Sequence, residues 1–328
     1  MYETIKKYIN TFSVTGREYY LANVIEADLK PFATEIRRDA MGNLIVFKKG
    51  ADSSKKLMIA AHMDEIGFMV TNITDNGYIR VTNVGGISAL FSSYGLVKFE
   101  NGLKGVIVAD SSAKDIKVKD LVIDIGAKNN KDAARKVAVG DLCALVPSFT
   151  RLMNKRISAK AFDDRLGCAV AAVSAMKSTP KYDTYYVFTV QEEVGCRGAM
   201  PATFDIRPDY AIAIDVTGTG DTVGARAMEI KLGNGAAVKL KDSSVICSQL
   251  MVDAMTECAK RNGIKYQLEV LEAGGTDTHS MQLAAGGCHA GCISIPTRYI
   301  HSPVETVDLG DVEACESLLT ALVNEGVE

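Results

Sequence analysis

Apolar residues recur at helical spacing over 17–30 (REYYLANVIEADLK), which predicts a helix, while the short runs 43–48 (NLIVFK) and 57–61 (LMIAA) predict strands. The second run is continuously apolar and ends at His62, the pattern of a central strand covered on both faces. From about Gly67 the texture changes. FMVTNIT, YIRVTNV, GLVKF, KGVIVAD and DLCALVPSF are short, β-rich and punctuated by Asn-Gly, Gly-Gly and Gly-Asp, which predicts a small β-barrel or sandwich reaching about Ser148. Helix and strand then alternate. The pattern predicts a helix near 162–177, strands at 185–191 and 210–215, a helix over 244–262 and a strand at 266–271, followed by a short helix near 276–284, a strand at 292–296 and a final helix over 311–324.

Strand–helix alternation interrupted by one β block implies an α/β fold with strands at least partly parallel and a β domain inserted into it. The expected division is a discontinuous domain of residues 1–66 and 157–328 around an inserted unit of residues 67–156. Hydrophobic residues make up 47% of the 328 and charged residues 23%, enough for a sizeable core. A net charge of -3 with no Lys/Arg block argues against a nucleic-acid or anionic-membrane partner. No apolar run approaches the ~18 residues of a membrane span, and MYETIKKYINTF has no apolar signal core. The eight cysteines are scattered through apolar stretches, as at Cys143, Cys168, Cys247 and Cys258. That is the usage of reduced core thiols, so the expected compartment is the cytoplasm.

Candidate chemistry gathers where strands end. His62 follows its strand in AAHMDEIG, and His301 stands in PTRYIHSPVE beyond another. Asp163 and Asp164 (AFDDRLG) open a helix, Glu192 and Glu193 (TVQEEVG) close a strand, and Asp215 ends one in IAIDVTG. Each has an ordinary structural explanation as a helix cap, a solvated strand end or a turn. Together they form a pattern, because the carboxyl edge of an open α/β sheet is where ligands bind. His62, Asp163, Glu193, Asp215 and His301 have the composition of a two-metal site: imidazole and carboxylate suit zinc, cobalt or manganese, and five ligands exceed what one catalytic zinc holds. With one bridging carboxylate, each ion would receive one histidine, one private acid and the shared one. Two ions about 3.5–4 Å apart would acidify a bridging water and polarise the carbonyl it attacks. Glu192 is then a free carboxylate and the candidate general base, carrying the water's proton to the leaving amine. Asp64, in H-x-D, is expected to accept the second ring N–H of His62. Spacing alone leaves the bridge open between Asp163 and Asp164.

AHMDEIGFMV, AFDDRLG, VQEEVGCRGA, AIDVTGTGDT, GGTDTHSMQ and PTRYIHSPVE, in that order, closely resemble the tetrahedral (TET) aminopeptidases, a family also labelled glutamyl aminopeptidase or endoglucanase. The resemblance covers essentially the whole chain. It implies a mixed-sheet three-layer metallopeptidase domain with an inserted β-barrel-like domain and a zinc or cobalt pair. It also implies His62 and Asp215 on one ion, Glu193 and His301 on the other, Asp163 as the bridge and Glu192 as the base. Short peptides trimmed from their N-termini would be the substrates, and a homo-oligomeric shell of twelve subunits built from dimers the assembly. Lys160 stands where arginine is frequent in the family, and DVTGTGDTVG lacks its usual His-Ala; both departures concern the substrate pocket rather than the ligands.

Three other readings compete. A glycosidase needs two carboxylates about 5–9.5 Å apart and usually no metal, so it has no use for the two histidines. A metal-dependent deacylase or carboxypeptidase would keep metals and base and differ only in its pocket. A non-enzymatic metal-binding assembly protein would have no use for Glu192. Cys288, His289 and Cys292 (GGCHAGC) lack a partner cysteine pair and read as core residues, while Asp277 and His279 fall near the expected substrate pocket.

Overall fold

The computed structural model describes residues 1–109 and 115–327. Strand Asp52–His62 shows how the core is divided: Leu57, Ile59 and Ala61 join one apolar cluster, and Met58 and Ala60 join another. This is the two-residue alternation of a strand covered on both faces. Its neighbours Tyr182–Thr189 and Tyr210–Thr217 repeat it, with Phe188 and Ile212 on the first face and Val187 and Ala211 on the second. The first face is packed by helices Tyr2–Asn10, Tyr19–Leu29, Phe162–Lys177, Gln249–Arg261 and Leu309–Glu325. The second carries the shorter helices Ala199–Ile206 and Asp277–Leu283. Helices, sheet and helices make three layers.

Four central strands run parallel in the order Tyr182–Thr189, Asp52–His62, Tyr210–Thr217 and His289–Arg298. Antiparallel strands flank them: Leu44–Lys48 and Glu35–Arg38 on one side, Glu305–Asp308, Arg156–Ala159 and Thr150–Arg151 on the other. Strand Ala236–Lys241 branches from His289–Arg298 and pairs in parallel with Tyr266–Val270. The sheet is mixed, and the parallel core puts four carboxyl ends on one edge.

Between His62 and Arg156 the chain forms a closed six-strand barrel of Gly67–Ile73, Ile79–Val84, Leu121–Asp124, Lys104–Ala109, Gly95–Phe99 and Leu142–Leu145. Phe68, Val70, Ile79, Val81, Val97, Phe99, Ile107 and Ile123 fill it. Closure removes the exposed edges that so short a sheet would otherwise present. Strand Thr150–Arg151 lies within residues 67–156 by number yet pairs with Arg156–Ala159 and so joins the large sheet.

Several elements escaped the sequence pattern. Strand Ala236–Lys241 carries Lys239, which looks solvent-directed but is fully buried, its Nζ 2.8 Å from Glu269 Oε1 and 3.5 Å from Asp242 Oδ2. Strands Leu121–Asp124 and Glu305–Asp308 are four residues each, too short for a period to register. Among the described residues no helix is long and apolar enough to cross a membrane.

Candidate metal centre

The parallel register places Thr189 beside His62, so the segment after Thr189 and the end of the His62 strand reach the same edge. Asp215 lies two positions inside the end of Tyr210–Thr217, and His301 follows strand His289–Arg298. Asp163 sits in the first turn of helix Phe162–Lys177, with non-helical backbone at Asp163 and Asp164. Asp163 stands between the two imidazoles: Oδ1 is 2.9 Å from His62 Nε2, and Oδ2 is 3.1 Å from His301 Nε2. Asp215 Oδ1 is 4.0 Å from His62 Nε2, and Glu193 Oε1 is 3.3 Å from His301 Nε2. Two triads result, His62–Asp163–Asp215 and Asp163–Glu193–His301, each with its donor atoms within 4.8 Å of one another and with Asp163 common to both. Asp164 is turned elsewhere, accepting from Gly167 N–H at 2.9 Å and from His62 N–H at 3.2 Å, the work of a helix-capping acid.

The residues around the triads act through backbone groups. Asp64, expected to take the His62 ring N–H with its carboxylate, faces the ring with its backbone oxygen at 3.1 Å from Nδ1, while Oδ1 lies at 3.5 Å. Its carboxylate also accepts from Thr15 Oγ1 at 2.8 Å and from the N–H groups of Glu192 and Glu193 at 3.0 and 3.2 Å. That contact bends the chain past the strand end so that both glutamates border one cavity. Glu305 had no assigned role. It is buried, accepts His301 N–H at 2.9 Å and Asp163 N–H at 3.0 Å, and so ties the two residues that meet across the second triad. Its one sequence signal was its place at the end of PTRYIHSPVE. Lys160, noted as a departure, is buried in an ion pair with Glu65, which also accepts from Arg165 Nη2 at 3.0 Å.

Residues 42–318 match the family of M42 glutamyl aminopeptidases. A putative aminopeptidase of Acetivibrio thermocellus is 46% identical over 328 residues, covering 98% of this chain and 98% of its own. The chain belongs to the M42 family. Its resemblance to the TET aminopeptidases extends to solved structures. An aminopeptidase from the archaeon Desulfurococcus kamchatkensis superposes with a TM-score of 0.95 at 36% identity, over 99% of this chain and 94% of that one. The Pyrococcus horikoshii TET1 peptidase, whose subunits can assemble into a tetrahedron or a large octahedral shell, superposes with a TM-score of 0.90 at 34% identity, over 99% of each chain.

In this M42 chain the cavity beside the triads measures about 560 Å³ and is bordered by Asp163, Glu192, Glu193, Cys196, Asp215 and His301. Gly86, just past barrel strand Ile79–Val84, walls it closely, since a Cβ there would lie 3.1 Å from His301 Nδ1; a Cβ on the preceding Gly85 would lie 3.1 Å from Glu193 Oε2. Acids dominate the electrostatics. Burial pushes Glu192 well above the ordinary carboxylate range; His62 opposes this, and the charges of Asp215, Asp277 and Glu193 add to it. Burial likewise raises Asp215, reinforced by Asp163. Asp163 is held below its ordinary value against its own burial, because His301 and His62 both face it. Burial works against a charged His301 ring, yet Asp163 and Glu193 push it up to about 12. The lysines bordering this region are already engaged, Lys160 with Glu65 and Lys239 with Glu269. Glu193 Oε1 is buried and faced by His301 Nε2 at 3.3 Å, outside hydrogen-bond geometry. A concentration of buried acid favours added positive charge.

Proposed function

We propose that this chain is a dinuclear metal-dependent aminopeptidase that removes N-terminal residues from short peptides. The observation that carries the reading is Asp163, whose two carboxylate oxygens each face a different histidine and whose side chain belongs to both triads. The donor set, imidazole and carboxylate gathered around Asp163 and buried or partly buried, fits two divalent cations of the zinc, cobalt or manganese type. His62 and Asp215 would hold one, Glu193 and His301 the other, and Asp163 would bridge them. Bound there, such a pair acidifies water and polarises a carbonyl. Glu192, outside both triads and bordering the cavity, takes the proton of the attacking water and passes it to the leaving amine. Asp64 holds Glu192 and Glu193 in place through their N–H groups, and Glu305 does the same for Asp163 and His301.

Hydrolysis of aminoacyl p-nitroanilides tests the reading. Activity should vanish with chelator and return with zinc, cobalt or manganese, and N-acetylated peptides should be refused. Chelator-resistant hydrolysis of a β-glucan without peptidase activity would overturn it in favour of a glycosidase.

The same reading carries a homo-oligomer, built from dimers into a twelve-subunit shell. Leu90, Phe91, Tyr94 and Leu96 are exposed on one stretch of the barrel, and Leu90 and Tyr94 are each 72% accessible, an apolar surface of the kind that subunit contacts cover. Residues 67–156 as an inserted assembly domain, and a cytoplasmic setting for the eight unpaired cysteines, belong to this proposal. Light scattering decides the assembly: a monomer mass at all concentrations would remove it.

A further inference from the structure

Cys196 and Asp277 form with Glu192 a group of donors of which the two-metal reading uses only Glu192, as the base. Cys196 Sγ lies 3.1 Å from Glu192 Oε1, and the donor atoms of Glu192, Cys196 and Asp277 all fall within 4.8 Å of one another. Asp277 is 3% exposed. Its Oδ2 accepts from Thr189 Oγ1 at 2.6 Å, while Oδ1 is buried with no hydrogen-bond partner. A buried acceptor left open beside a thiol and a second carboxylate is costly unless something fills it. The backbone fixes all three donors. Cys196 N–H donates to Glu192 O at 2.8 Å, and Cys196 O accepts from Ser280 Oγ at 3.1 Å, on the helix that Asp277 begins. Cys196 and Glu192 border the 560 Å³ cavity, so a small ion has a path in.

We propose that Glu192, Cys196 and Asp277 form a third cation site that takes thiophilic divalent metals such as cadmium, or zinc in excess of the catalytic pair, and whose occupation shuts the enzyme off. The inhibitory half rests on the base role assigned to Glu192; the binding half does not. On binding, a metal–sulfur bond forms and the thiol S–H bond breaks, with the proton released to solvent and no change of oxidation state. One thiolate and two carboxylates leave a fourth tetrahedral position for water. Hard cations such as magnesium and manganese gain little from sulfur and should pass the site by. With its carboxylate drawn onto that ion, Glu192 no longer takes the proton of the attacking water.

The test uses the full-length chain saturated with manganese and titrated with cadmium, in wild type, Cys196→Ser and Asp277→Asn. Ultraviolet thiolate-to-cadmium absorption, proton release and hydrolysis of an aminoacyl p-nitroanilide are followed together. One equivalent of the absorption, accompanied by proton release, should appear in wild type; the absorption should vanish in Cys196→Ser and require at least tenfold more cadmium in Asp277→Asn. Inhibition by cadmium should weaken at least tenfold in Cys196→Ser. No absorption in wild type, or equal absorption in Cys196→Ser, overturns the site; equal inhibition of both chains overturns its inhibitory role. A chain with no peptidase activity would sink the aminopeptidase reading, and the absorption would still decide this one.

Discussion

Glu192 and Glu193 are adjacent in sequence and differ in surroundings, and hence in proposed role, because the turn after Thr189 sends one toward His301 and leaves the other facing His62 Nε2 at 3.8 Å. Glu192→Gln should therefore keep its bound metal by atomic absorption while turnover falls about 10²–10⁴-fold, the usual weight of a general base. Retained turnover would remove Glu192 from the mechanism. Glu305→Gln replaces a two-oxygen acceptor by a single one, so one of the N–H groups of Asp163 and His301 loses its partner. Metal affinity in a chelator competition should drop about 10–100-fold, as for other residues that hold ligands in place. The ligand candidates were legible in sequence because each stands at a strand or helix end, where side chains have few structural reasons to be acidic together. The work of Asp64 and Glu305 was not. Both accept backbone N–H groups 128 and 142 positions away, and no local pattern encodes a contact with another segment's main chain.

At the scale of elements, the continuous apolar run 57–61 and the helical spacing in 17–30 carried through to strand Asp52–His62 and helix Tyr19–Leu29, since the first must bury both faces and the second one. Strand Ala236–Lys241 was hidden because its central lysine is neutralised by acids that the sequence places elsewhere. Close approach sets other constraints. A Cβ at Gly198 would lie 2.4 Å from Asn43 Oδ1 and 2.5 Å from Val190 O, where Asn43 joins strand Leu44–Lys48 to the glutamate turn. Gly198→Ala should destabilise by about 1–3 kcal/mol in a urea titration, and activity should fall with it. Helix Leu309–Glu325 supplies a pH probe whose shift no triad residue causes. Burial pushes Asp311 up to about 6 from an ordinary 3.8, against the pull of the Gly233 and Gly235 N–H groups. The folded chain thus holds that proton more tightly than the unfolded one, and the stability it contributes is complete below pH 3.8 and lost as pH rises through about 6. Asp311→Asn should flatten the fall of the urea midpoint across that window; an unchanged slope would assign the dependence elsewhere.

For the whole molecule, the abrupt change of texture at Gly67 showed an α/β frame with a β insert and left that insert between a barrel and a sandwich, with the resemblance favouring a barrel; that Gly86 walls the cavity was not legible. Closure depends on pairing strands Gly95–Phe99 and Leu142–Leu145, and the wall depends on packing between distant segments. The separation of those segments also orders events in time. Barrel contacts join residues within 67–145, whereas one triad spans 62 to 215 and the other 163 to 301. Closing long loops is the slow part of folding. A chain refolding from denaturant should therefore bury its barrel core first and gain tight metal uptake last, so that cation binding marks the end of folding rather than its beginning.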